Sequence, residues 1–100
     1  MQNNKQASFS LNTIIDILVN AVARKIEFTN PEYTVTADTM FKADADIDIY
    51  GFADVLLHLF DKTQWINGFE LLIKWFAKND CSIKELAVKI EYIKANSSEE

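Results

Sequence analysis

The chain of 100 residues holds one histidine, His58, and one cysteine, Cys81, and these are its best-suited groups for acid/base or nucleophilic chemistry. His58 sits inside Val55-Leu56-Leu57-His58-Leu59-Phe60, with no second histidine, cysteine pair or acid at metal-ligand spacing, so a structural role is favoured over a catalytic one. Cys81 directly precedes Ser82, a strong helix-capping residue. A helix N-terminus can lower a thiol pKa, but with no histidine nearby in sequence a reactive role is not favoured. The run Asp44-Ala45-Asp46-Ile47-Asp48 matches an EF-hand loop at its first, third and fifth places. It carries Ile49 where the sixth needs glycine and Val55 where the twelfth needs a bidentate glutamate. A specific calcium site is therefore not expected, and weak screening of the clustered aspartates by divalent ions is the most this run offers. The two glycines, Gly51 and Gly68, are isolated, so no phosphate-cradling loop can be assembled. No acid sits in an apolar setting that would raise its pKa for proton transfer, and no catalytic activity is expected.

What remains is charge. Fifteen acids against ten bases give −5, which argues against nucleic acid as a partner. That charge is local. Asp38, Asp44, Asp46, Asp48, Asp54 and Asp61 face Lys42 alone between Asp38 and Asp61, and the rest of the chain is balanced. Such a run is either a solvated face or an acidic patch that steers a basic partner, in which the summed field matters more than any single contact.

The elements that must position these groups are helical. Leu11, Ile14, Ile15, Leu18, Val22 and Ile26 make one apolar stripe from about Ser10 to Phe28, with Ser8, Ser10 or Asn12 as N-cap. Thr29-Asn30-Pro31 ends it. From there to about Ile49 the pattern is irregular, a long loop that Val35, Met40 and Phe41 are expected to pin to the core. Phe52, Val55, Leu56 and Leu59 restore helical spacing as far as Lys62. Asn67-Gly68 reads as a turn, and Phe69, Leu72, Ile73 and Phe76 start a short third helix that is apolar almost all round once Leu71 and Trp75 are counted. The stretch from Trp65 to Phe76 is a partner groove or core, with core favoured. Ser82-Ile83-Lys84-Glu85 is a capping box ahead of a stripe of Ile83, Leu86, Ala87, Ile90 and Ile93 that ends near Ala95.

Composition agrees. Apolar residues at 49% supply a real core, so disorder is excluded, and only two glycines and one proline leave too few turns for a sandwich or barrel. One cysteine excludes an intramolecular disulfide framework or a multi-thiolate zinc site, and a cytoplasmic address fits. The start, MQNNKQASFS, reads as neither signal peptide nor anchor, and no window is long and apolar enough to span a bilayer. The expected organisation is a flexible N-terminus over 1–9, one helical domain over 10–95 and a flexible acidic tail over 96–100.

This layout resembles the acyl carrier protein family over roughly residues 10–95. Val35-Thr36-Ala37-Asp38-Thr39-Met40-Phe41 is similar to the family's loop segment, and Ser82-Ile83-Lys84-Glu85-Leu86-Ala87 through Tyr92-Ile93 to its last helix. The resemblance implies an all-α, four-helix bundle with a long loop between helices 1 and 2, and an acidic second helix read by basic patches on partner enzymes. It also implies an Asp-Ser-Leu element whose serine carries 4'-phosphopantetheine. Here the matching place is Asp48-Ile49-Tyr50, and no serine lies between Ser10 and Ser82. Isoleucine cannot form a phosphodiester. Ser82, after Asp80-Cys81, echoes the motif with only eighteen residues left to follow it.

The expectation is thus a non-catalytic carrier-like binding module without the arm. It docks a basic protein surface, such as a lipid- or polyketide-synthesis enzyme, through Asp46, Asp48, Asp54 and Asp61. The alternatives are a functional carrier bearing 4'-phosphopantetheine at another position, and an unrelated helical adaptor with an exposed third helix.

Overall fold

The computed structural model describes residues 10–64 and 68–97. The expected flexible start over 1–9, the Ser8 cap, Trp65, Asn67 and the last three residues of the acidic tail lie outside them. The described residues form four helices and no strand: α1 Leu11–Ile26, α2 Ile49–Thr63, α3 Phe69–Lys78 and α4 Ile83–Ser97. The fold is a small helical bundle in which α1 packs on both α2 and α4, and α2 also packs on α3. None of the helices is long and apolar enough to cross a membrane.

The stripes expected from helical spacing become the core. Ile14, Leu18, Val22 and Ile26 of α1 are buried, joined by Ala21, and Leu11 and Ile15 pack against them half-buried. In α2 the buried set is Phe52, Val55, Leu56, Leu59 and Phe60, and in α4 it is Ile83, Leu86, Ala87 and Ile90. Each such aliphatic or aromatic side chain contributes about 1.5–3 kcal/mol by leaving water. α3 is less enclosed than its composition suggests: Leu72 and Phe76 are buried, while Leu71 is 55% exposed.

Helix ends follow local chemistry. Ser10 caps α1, its hydroxyl accepting from the Thr13 amide at 3.2 Å. α1 stops at Ile26, short of Phe28, because the amides of Thr29 and Asn30 fold back onto the Ile26 carbonyl at 3.1 and 2.8 Å. Phe28 is consequently 88% exposed. α4 continues to Ser97, past the expected end near Ala95, and the Asn96 side-chain amide donates to the Tyr92 carbonyl at 2.7 Å. Gly68 precedes α3 at φ 82°, a left-handed conformation, and a Cβ there would meet Ile93 Cγ2 at 3.0 Å.

The connection from Glu27 to Asp48 contains turns and one isolated antiparallel bridge, Met40 with Ser82. Around that bridge the Phe41 amide donates to the Cys81 carbonyl at 2.9 Å, and the Ile83 amide to the Thr39 carbonyl at 3.0 Å. This pairing completes the start of α4. The capping box is formed, with the Glu85 amide on the Ser82 hydroxyl at 3.0 Å and the Ser82 amide on the Glu85 carboxylate at 2.8 Å. The two amides it leaves over are taken by the connection, Ile83 as above and Lys84 by the Ala37 carbonyl at 2.9 Å. Every orphan donor of that helix end has a partner.

Phe41 is fully buried, as expected of a pin, and Ala45 and Ile47 join it, whereas Val35 and Met40 are half-buried. Phe41 meets Phe52 and Phe76 edge-on at centroid distances of 5.3 and 5.9 Å, and Phe52 stacks on Phe76 at 3.9 Å. Three rings thereby lock the connection to α2 and α3.

Candidate docking surface

The start of α2 is built by Asp48 and Ile47. Asp48 is the N-cap, its carboxylate accepting from the Gly51 amide at 2.9 Å. Ile47 before it and Phe52 after it are both buried, at the positions of a hydrophobic staple. Gly51 leaves room for this, since a Cβ there would lie 3.0 Å from Ile47 Cγ2. Ile49 is the first helical residue and is half-buried against the core.

The four aspartates expected to bind a partner do not form one cluster. Asp46 is exposed in the left-handed region at φ 55°, ahead of the helix. Asp48 is exposed too, but its carboxylate is engaged in capping. Asp54 reaches Lys25 of α1 at 2.6 Å, a bridge between helices with both side chains partly open to water. Asp61 is exposed in the last turn, about 18 Å along the axis from the start of α2 at 1.5 Å per residue. Among the described residues, the carboxylates of Asp46 and Asp61 have no partner.

Elsewhere in the acidic stretch Asp44 and Lys42 are engaged internally, while the carboxylate of the exposed Asp38 has no partner among the described residues. Asp44 accepts from the Met40 amide at 2.8 Å. Lys42, its lone base, donates to the Phe76 carbonyl at 2.8 Å, closing the C-terminus of α3, with its ammonium 4.6 Å from the Phe76 ring centre. It forms no ion pair with the neighbouring aspartates among the described residues. Asp80, outside the stretch, holds the turn beside it by accepting from the amides of Lys42, Ala43 and Cys81 at 2.8, 3.0 and 2.9 Å.

A feature the charge count missed is apolar. Tyr50 is 79% exposed and Leu57 50%, and with Asp54 and Asp61 they fall at helical spacing along one outward line of α2. The signal lay in the sequence, in the same 3.6-residue period that located the buried face, applied to the opposite one. The surface thus alternates an aromatic ring, an acid, an aliphatic side chain and an acid. Such a surface fits a partner carrying cations beside apolar pockets.

The candidates for chemistry stand apart from this line or lack the needed company. Cys81 is buried, and burial, with the Asp80 and Glu85 carboxylates adding, pushes its thiol from 9.0 up to about 12 against a smaller opposing effect of Lys42. That is the reverse of the activation a helix N-terminus can provide. Ser82 is 8% exposed and its hydroxyl serves the capping box. His58 is half-buried beside α1. Among the described residues no group of three or more His, Cys, Asp or Glu side chains is placed to hold a metal ion. Trp75 is half-buried against the core, with the Lys89 ammonium 5.0 Å from its ring centre.

Bundle and surface together define a small all-helical domain with an exposed line of mixed apolar and acidic character on its second helix. Compared with known proteins, the chain matches no protein-family model, no curated protein and no solved structure.

Proposed function

We propose that this chain is an acyl-carrier-protein-like binding module, non-catalytic and without a phosphopantetheine arm. It docks a basic protein surface, of the kind a lipid- or polyketide-synthesis enzyme presents, through the outward face of α2. The observation that carries this reading is the line Tyr50-Asp54-Leu57-Asp61, in which two exposed apolar side chains alternate with two carboxylates. The acids speed encounter and select a cationic partner, and the apolar pair supplies contact area that individually weak ion pairs do not. Ile49 at the head of the helix, where the family resemblance calls for the attachment serine, supports the absence of the arm.

The test uses the partner retrieved by the tagged full chain. Reversal of Asp54 and Asp61 to lysine is expected to lower the association rate about tenfold at low salt and to have little effect at high salt. Tyr50→Ala is expected to raise the dissociation rate. An association rate indifferent to the charge reversal would refute the docking face. Intact mass after co-expression with a phosphopantetheinyl transferase is expected to be unchanged, and a gain of one prosthetic arm would establish a functional carrier instead.

A further inference from the structure

A groove of about 670 Å³ runs between α1 and α2 where residues 30–33 of the connection cross. Ile17, Ala23 and the half-buried Tyr33 line it together with Arg24, Lys62 and His58, and Asn20 and Asn30 make the lining mixed in character. The register explains the convergence. Ile17 and Arg24 lie along one line of α1 that ends at its C-cap Glu27, and His58 and Lys62 are one turn apart on α2.

The cations here differ from the others near α2. Lys25 is bound to Asp54 and Lys42 to the Phe76 carbonyl, whereas the side chains of Arg24 and Lys62 form no ion pair or hydrogen bond among the described residues. Glu27 also lines the groove, so two fixed positive charges and one negative leave a surplus of one. That matches a monoanion better than a dianion, and Ile17, Ala23 and the Tyr33 ring give a short hydrocarbon body apolar contacts within the mixed lining.

We propose that this groove binds a small organic carboxylate, its apolar body on Ile17, Ala23 and the Tyr33 ring and its carboxylate held by Arg24 and Lys62. The guanidinium offers a planar fork that fits a carboxylate, and the half-buried His58 lines the same groove with a further hydrogen-bonding group. The site is separate from the docking line, because neither Arg24 nor Lys62 belongs to it. Hexanoate is the probe, titrated into the full chain and followed by amide chemical shifts, with inorganic phosphate in parallel.

Hexanoate is expected to produce saturable shifts at Ala23, Arg24, Glu27, Tyr33 and His58, with a dissociation constant on the order of 1 mM. R24Q/K62Q is expected to weaken binding at least tenfold, and E27Q to tighten it by removing the like charge. All three side chains are exposed, so the variants keep the fold, which their unchanged spectral dispersion will show. Shifts that fail to saturate, that persist undiminished in R24Q/K62Q, or that phosphate reproduces with equal affinity would overturn the proposal.

Discussion

Two regions of this molecule use carboxylates in opposite ways. Where the connection meets the start of α4, Asp80 accepts three backbone amides, Asp44 accepts one, and Glu85 completes a capping box. Along the outward line of α2, among the described residues, the Asp61 carboxylate has no partner and Asp54 holds an exposed bridge to Lys25. The same side-chain type is structural in one place and free to meet a partner in the other. A net charge therefore does not measure a docking surface. What counts is how many carboxylates the backbone has left unengaged.

The largest expected effect that would break this contrast is at Asp80. Asp80→Ala strands the amides of Lys42, Ala43 and Cys81 and is expected to cost roughly 2–4 kcal/mol, read as a lower midpoint in urea unfolding. A loss no greater than at an exposed aspartate would show that the junction needs no carboxylate. The alkaline limb of stability tests the same junction. The Cys81 thiol ionises at 9.0 when unfolded and is held at about 12 when folded, so below 9.0 it is protonated in both states. As pH rises from 9.0 towards about 12 only the unfolded chain loses the proton, and stability is expected to fall across that window. Cys81→Ala should show a shallower decline there, and an equal slope would mean that burial does not hold the thiol neutral.

Asp48 sharpens the contrast, because it is exposed and structural at once. Asp48→Ala is expected to cost about 1 kcal/mol through loss of the α2 cap, with Asp48→Asn or Asp48→Ser recovering most of it. Smallest are the outward acids. Asp54→Ala should cost at most about 1 kcal/mol, an effect that added salt removes. Asp61→Ala should leave the unfolding midpoint within about 0.5 kcal/mol of the parent. A large destabilisation at Asp61 would place it with the structural carboxylates and weaken its claim to a partner.

Legibility in the sequence followed distance along the chain. The capping box at Ser82 and Glu85 was readable because both halves lie within one turn. The buried faces of α1, α2 and α4 were readable because a helix repeats its inward positions every three to four residues. The end of α1 was overrun by two residues, since Phe28 continues the apolar pattern while the backbone has already turned onto Ile26. The role of Lys42 was not readable. The partners that settle the turn around Lys42 come from Asp80, thirty-eight residues away, and from the carbonyl of Phe76, thirty-four away. The four aspartates expected to act together take different local roles. The fold divides them between a cap, an ion pair and two carboxylates that have no partner among the described residues.

By itself the sequence determined the helices, the faces they bury, the cap of α4 and the confinement of the net charge between Asp38 and Asp61. Periodicity and capping are interactions within a few residues, so they are written locally. Only the tertiary structure decided which carboxylates are engaged, that the connection supplies the last acceptors for α4, that Cys81 is held neutral, and that Tyr50 and Leu57 share a line with Asp54 and Asp61 on the solvent side. Those outcomes depend on which backbone donors and apolar surfaces other elements leave uncovered, and no local pattern encodes that until the helices pack.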